Sequence, residues 1–345
     1  MQIEPHIARA HAGVWTGAES KCELRLDGVR QPFGPCPAAL QAMETEPSLP
    51  SSHLAKQLRL ELAAAYRVPL DSILLQDGID KCLAGIIGRA TGRLVTFPPS
   101  ATASCVAALP KTEEMIHVAR GAGHHGRIDV ACATDIPETA VAVIGSPSDP
   151  LGSILGAAEA VRLARACRVL VIDERFTEYS GFSALPLCLE FDNIVVLRTL
   201  ETWAGLDNPP CAWAMTSLRA ASFVGLSETA PDPKALAAGI ATLQNLPTVR
   251  ATIGLVREER SRLYRLLRKL SYLEPIPSWG PFLSARVNIV ARDTLVSSLL
   301  TRGVYIHIPP HPALERIVRV GIGSRSAMER LKSVLLALGP ELVGQ

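Results

Sequence analysis

An α/β fold, in which a mainly parallel sheet is flanked by helices and followed by a smaller C-terminal α+β lobe, is predicted by three features of this chain. Short β-branched runs alternate with longer segments of helical spacing. The runs are almost continuously apolar, as strands buried on both faces are. After residue 230 the texture shifts to long helices and then to a compact group of alternating strands and helices.

In chain order, residues 78–89 have helical spacing and lead into the first apolar run, R-L-V-T-F at 93–97. A second strand, A-V-A-V-I, spans 140–144, and a helix at 155–166 connects it to R-V-L-V-I at 168–172. N-I-V-V-L at 193–197 supplies the next strand. Long helices are expected over 232–246 and 249–270, the second with a dense stripe of Arg and Lys that reads as a solvated face. The last group is a strand at 285–290, a helix at 294–301, strands at 304–308 and 317–322, and a helix at 326–338. This order suits an N-terminal arm over 1–50 that belongs to the small lobe, a large domain over 51–245 and a small domain over 246–345.

Composition narrows the function classes. The chain has 345 residues, 48% of them hydrophobic, which is ample for a full core. Its 35 basic and 33 acidic residues leave a charge of +2, so no broad field invites nucleic acid or an anionic membrane. No apolar run reaches the roughly 18 residues of a membrane-crossing helix. The opening Met1-Gln2-Ile3-Glu4-Pro5-His6 lacks the basic-then-apolar pattern of a secretory leader. Eight cysteines are scattered without a C-x-x-C pair, and Cys132, Cys167 and Cys211 sit in apolar stretches. Reduced, buried thiols and a cytoplasmic location are expected. The 26 prolines and 25 glycines are spread along the chain, with no linker-like cluster.

The segment from Val195 to Leu206 carries the most specific signal. It reads Val-Val-Leu-Arg-Thr-Leu-Glu-Thr-Trp-Ala-Gly-Leu and resembles R-T-F/L-S-K-A/I-F/Y/W-G-L of fold-type I aminotransferases similar to histidinol-phosphate aminotransferase. Further motifs follow in the family's order. Residues 26–37 are similar to L-D-x-N-E-N-P-Y-G-P-S-P, and residues 68–80 to V-P-x-x-x-I-L-L-G-N-G-S-D. Gly145-Ser146-Pro147-Ser148-Asp149-Pro150-Leu151-Gly152 stands for x-N-P-N-N-P-T-G, and Asp173-Glu174-Arg175-Phe176 for D-E-A-Y. Val287-Asn288-Ile289 and Val318-Arg319-Val320-Gly321-Ile322-Gly323 resemble V-N-F and L-R-I/V-S/T-I/V-G. The resemblance implies a mainly parallel seven-stranded sheet in the large domain, a small C-terminal domain, and a homodimer with its site at the subunit interface.

What the resemblance implies for the site is mostly departure. The family's lysine, which forms a Schiff base with pyridoxal phosphate, is Thr202, and the serine before it is Glu201. The asparagine and tyrosine that support the cofactor's phenolic oxygen are Asp149 and Phe176. The stacking aromatic is Ser100, the partner-subunit tyrosine is Leu49, and the phosphate-binding arginine is Pro210. A carboxylate at 201 also opposes a phosphate. At about 4 Å and an effective dielectric near 20, each pair of unit charges costs roughly 4 kcal/mol, and a dianion about twice that. A hydroxyl forms no imine, so no cofactor is expected. No lysine stands in an S-K context after a strand; Lys81, Lys111 and Lys234 come nearest in chain order.

Two hallmark charges persist. Asp173, at the end of a strand, corresponds to the acid that pairs with the pyridinium nitrogen, and Arg319 to the arginine that grips a substrate carboxylate. Each has an alternative. Asp173 is a retained acid satisfied by neighbouring backbone or Arg175, and Arg319 is a salt-bridge partner of a nearby acid. His307 stands for a second family arginine, close to His311. Asp173, Glu201 and Asp149 are therefore the candidate acid/base groups, with Arg319, His307, Asn288 and Thr202 as candidate substrate contacts. His307 and His311 lack a clear third ligand, so no metal is expected. The His124-His125 pair lies in a Gly-rich turn, and Cys82 and Cys105 near pocket loops lack an adjacent base. The leading expectation is an enzyme without pyridoxal phosphate acting on a small carboxylate-bearing or amino-acid-derived molecule. A catalytically silent binding or scaffold protein is the alternative, and an active aminotransferase with its lysine elsewhere is the third reading.

Overall fold

The computed structural model describes residues 24–90, 92–108, 115–118 and 136–343. Lys111, the His124-His125 pair and Cys132 lie outside them. In chain order the strands are β1 (Leu24–Leu26), β2 (Ile73–Gln76), β3 (Leu94–Thr96), β4 (Met115–His117), β5 (Val141–Gly145), β6 (Val169–Asp173), β7 (Ile194–Thr199), β8 (Ala212–Thr216), β9 (Leu273–Ile276), β10 (Phe282–Val287), β11 (Val304–Ile306) and β12 (Ile317–Gly321). The helices are α1 (Pro37–Glu44), α2 (Ser51–Tyr66), α3 (Ile79–Arg89), α4 (Ala101–Ala108), α5 (Ala157–Ala166), α6 (Leu185–Glu190), α7 (Leu218–Phe223), α8 (Pro233–Gln244), α9 (Leu246–Leu267), α10 (Arg292–Leu300) and α11 (Arg325–Val343).

Seven strands form one sheet in the order β2-β8-β7-β6-β5-β3-β4. Only β8 runs against its neighbours, β2 and β7. Every residue of β5, β6 and β7 is buried, which is why these runs read as unbroken apolar sequence. Two hydrophobic clusters cover the sheet, one of them packed by Ile79, Leu83, Ile86 and Ile87 of α3. Local chemistry sets the helix starts. Asp232 caps α8 by accepting from the Lys234 N–H, with Pro233 at the first position. Glu159 reaches back to the Gly156 N–H to open α5.

A second sheet, β12-β10-β9, is antiparallel, and β1 pairs in parallel with β11. The basic stripe of α9 departs from the solvated face that its composition predicts. Arg250, Arg265, Arg268 and Lys269 are exposed. Arg257 instead donates to the backbone carbonyls of Glu178 and Tyr179, and Arg260 to that of Gly280. Those two arginines clasp loops, because long guanidinium side chains satisfy carbonyls that no secondary structure pairs.

Candidate functional site

Strand β6 ends on Asp173, 1% exposed at the C-terminal edge of the parallel strands. A carboxylate buried so deeply needs partners, and Arg175 supplies most of them. Its Nε donates to both Asp173 oxygens at 3.0 and 2.9 Å, and its backbone N–H to Oδ1 at 3.2 Å. Its Nη2 spans to Asp80 in α3 at 2.8 Å. Thr102 of α4 adds a hydroxyl at 3.0 Å. That approach depends on Gly145, opposite Asp173 in register, where a Cβ would stand 2.6 Å from the Thr102 hydroxyl. Burial alone would lower the affinity of Arg175 for its proton, but Asp173 and Asp80 outweigh it and hold the guanidinium above its usual range.

Strand β7 delivers Glu201 and Thr202 beside this pair. The Thr202 hydroxyl donates to the Arg175 carbonyl at 2.5 Å, and its own carbonyl accepts from the Gln31 N–H and the Tyr179 hydroxyl. Glu201 turns to the start of α3. Its Oε1 accepts from the Thr199 hydroxyl at 2.8 Å and from the Ile79 N–H at 3.4 Å. Gly78, at φ +91°, faces Pro210, whose ring atoms would lie 3.5 Å from an added Cβ. Burial pushes the Glu201 carboxyl up; Thr199, Arg175 and the Ile79 N–H oppose that and Asp80 reinforces it.

The second hallmark charge sits in the small antiparallel sheet. Arg319 on β12 is fully buried, and its Nη1 donates to Asp149 Oδ2 at 2.6 Å. Its Nη2 donates to the Asp27 carbonyl at 2.5 Å. Its Nε finds no hydrogen-bond partner among the described residues. A two-way backbone bridge joins Arg319 to His307. Beside them opens a cleft of about 50 Å³, bordered by Ser100, Ser104, Asp149, His307 and His311. Ligand pockets for drug-sized molecules are usually about 300–1,000 Å³.

Asp173, Thr202 and Glu201 thus come together around Arg175, and Arg319, Asp149 and His307 around the small cleft. Asn288 joins neither group: it is exposed after β10, with its backbone held by Tyr272 and Arg316. His311 caps the turn Pro312–Leu314 by accepting from the Ala313 N–H. Phe176 packs edge-on against Phe282 with ring centroids 5.5 Å apart. Burial pushes the Cys82 and Cys105 thiols up to about 12, so neither is a nucleophile at neutral pH. Sequence reasoning gave no site role to Asp80, Thr102 or Thr199. The signal for Asp80 was Arg175 itself, a long cation where D-E-A-Y has alanine. Among the described lysines none is buried; Lys81 pairs with Asp77 and Lys234 with Glu46.

No family model matches the chain. Its sequence is 26% identical over 341 residues to a histidinol-phosphate aminotransferase of Roseiflexus castenholzii, covering 90% of this chain and 88% of that one. The solved histidinol-phosphate aminotransferase of Clostridium acetobutylicum superposes with a TM-score of 0.81 at 15% identity, over 92% of this chain and all of the other. This chain has the fold-type I aminotransferase fold. A histidinol-phosphate aminotransferase from Sinorhizobium meliloti, solved in complex with pyridoxal-5'-phosphate, matches at a TM-score of 0.76 and 21% identity, over 98% of this chain and 96% of that one. The chain is histidinol-phosphate aminotransferase-like at low identity, and among its described residues no helix is long and apolar enough to cross a membrane.

Proposed function

We propose that this chain is an aminotransferase-fold protein that neither holds pyridoxal phosphate nor transaminates, and that it acts through binding. The relatives point toward the cofactor, since the Sinorhizobium meliloti protein was solved with it. The residues of this chain do not fit it. A transaminase needs an amine to tether the cofactor and a free cation to hold the substrate carboxylate. At the position that the resemblance assigns to the amine stands Thr202, its hydroxyl committed to the Arg175 carbonyl. The observation that carries the reading is Arg319, whose guanidinium already holds the chain's own Asp149 with no exposed surface. A carboxylate substrate would have to displace an internal one from a buried, charge-neutral pair.

The test is incubation with pyridoxal phosphate and an amino donor, including histidinol phosphate, then borohydride reduction and peptide mass spectrometry. The expected result is no oxo product and no single lysine modified stoichiometrically at equimolar pyridoxal phosphate. Turnover, or a stoichiometric adduct on one lysine, defeats the proposal.

A second reading is a PLP-independent enzyme acting on a small carboxylate-bearing molecule. It is favoured by the cleft beside His307, which Asp149 and His311 also border. Incubating the cofactor-free protein with small carboxylates decides it: a product whose formation Asp173→Asn abolishes supports this reading, and binding without conversion leaves the first. The homodimer belongs to the same proposal, and sedimentation equilibrium of the full chain tests it.

A further inference from the structure

We propose that Arg175 and Glu201 are built-in stand-ins for the two charged ends of the cofactor, closing the site from within. This deepens the reading that the chain works without pyridoxal phosphate, and rests on it. The cofactor presents a cationic N–H donor at its ring nitrogen and anionic acceptors at its phosphate. The resemblance assigns the first to Asp173 and the second to the residue at 201. In this chain Asp173 receives a cationic N–H donor from Arg175, whose Nε lies 3.0 and 2.9 Å from the two carboxylate oxygens. At the other end an acceptor oxygen of Glu201 faces the first turn of α3 and takes the Ile79 N–H at 3.4 Å. Helix N-termini offer such unpaired N–H groups to anions, and here the anion is internal.

Three features fit both side chains as permanent occupants. Arg175 is clamped between Asp173 and Asp80, and the Thr202 hydroxyl pins its backbone carbonyl. Thr199 fixes the Glu201 carboxyl at 2.8 Å. Pro210 lies over Gly78, so the segment that the family uses to hold phosphate offers an apolar ring instead. The two groups also sit close enough for the charge of Arg175 to favour ionised Glu201. Removing the Arg175 side chain would leave Asp173 with the Thr102 hydroxyl and the backbone N–H at 175, and removing that of Glu201 would free the Ile79 N–H.

The test uses the full chain with pyridoxal phosphate as probe, followed by thermal shift and fluorescence titration. Wild type is expected to show no saturable binding. Arg175→Ala combined with Glu201→Ser is expected to gain it, tighter by about tenfold or more, and to prefer pyridoxal phosphate over pyridoxal. A folded double variant that binds no better than wild type overturns the inference, as does a wild type that binds as tightly as the variant. Should the double variant fail to melt cooperatively, Glu201→Ser alone is titrated with inorganic phosphate. A phosphate-dependent rise in its melting temperature, absent from wild type, supports the inference, and no rise overturns it. A stoichiometric borohydride-trapped adduct on one lysine is a separate outcome, and it defeats the reading on which this inference rests.

Discussion

Arg319 and Arg175 are both buried guanidiniums facing a carboxylate, yet their surroundings push them in opposite directions. Burial pulls the Arg319 guanidinium below its usual range, and Asp149 only partly restores it. Arg175 has both Asp173 and Asp80, and the two carboxylates win over burial. Arg319 is therefore the more costly cation to bury, and its loss removes the guanidinium that holds Asp149 Oδ2 inside the fold. Arg319→Ala should destabilise the fold by about 3–5 kcal/mol in denaturant titration, and Asp149→Asn combined with Arg319→Met by clearly less. Equal losses from the single and double variants would show that packing, not the charge pair, sets the cost. Glu201 offers a second measurement. Its folded carboxyl binds a proton more readily than the unfolded chain does, mainly through burial. Over the pH range just above the ordinary carboxylate value of 4.5, the native state then holds more protons, so stability falls as pH rises. Glu201→Gln keeps an acceptor for Thr199 and Ile79 but cannot ionise. Its melting temperature should lack that fall, with Arg175, Asp80 and Cys211 as the neighbouring titratable groups left in place. Parallel pH profiles for the two proteins would count against the burial argument.

At the scale of elements, the pairing of β1 with β11 ties the N-terminal segment to the small sheet through Leu24↔Val304, Arg25↔Tyr305 and Leu26↔Ile306. The same segment supplies the Asp27 carbonyl to Arg319 and runs hard against β12 at Gly321, where a Cβ would overlap the Gly28 carbonyl oxygen. Gly321→Ala should push this backbone away, at a cost of roughly 1–3 kcal/mol typical of overpacking. Limited proteolysis should then cut near residues 24–30 before any other described segment, and an unchanged cleavage pattern would refute the close-approach argument. Little in the sequence announced this. The parallel strands were legible because burial on both faces fills their centres with Val, Ile, Leu and Ala: the runs at 140–144, 168–172 and 193–197 match β5, β6 and β7 to within two residues at each end. By contrast, β8 (A-W-A-M-T) and the three-residue β1 carry no unbroken aliphatic run, and β9 holds a proline that only its edge position tolerates. The start of α9 came three residues earlier than its apolar spacing suggested, because Pro247 suits a first turn regardless of periodicity.

Across the whole molecule, the loop after β5 is the latch between the two large sheets. Asp149 takes Arg319 of β12, the Pro150 carbonyl accepts from Ser284 of β10 at 2.5 Å, and the Gly152 carbonyl accepts from the Trp279 N–H at 2.9 Å. Gly152 has φ +72° and packs so tightly on Ser278 that no side chain fits there. Part of the site could be read from sequence: Asp173 at a strand end and Arg319 by its resemblance to the family's arginine both stood out, each with an internal ion pair as the alternative to a ligand role. Arg175 was named as the partner of Asp173 and is found there, whereas the partner of Arg319 could not be read, because Asp149 lies 170 residues away and only the fold brings them together. If the latch couples the sheets, weakening it in the loop must be felt in strands that the substitution does not touch. Asp149→Ala should raise amide exchange in β10 and β12 together with residues 148–152, by a factor on the order of ten to a hundred, equivalent to about 1.4–2.8 kcal/mol of local opening. The central strands β5, β6 and β7 take their protection from the buried core and should exchange as before. Faster exchange confined to residues 148–152 would mean that the small sheet is held by its own packing, and that the Asp149–Arg319 pair serves the cleft alone.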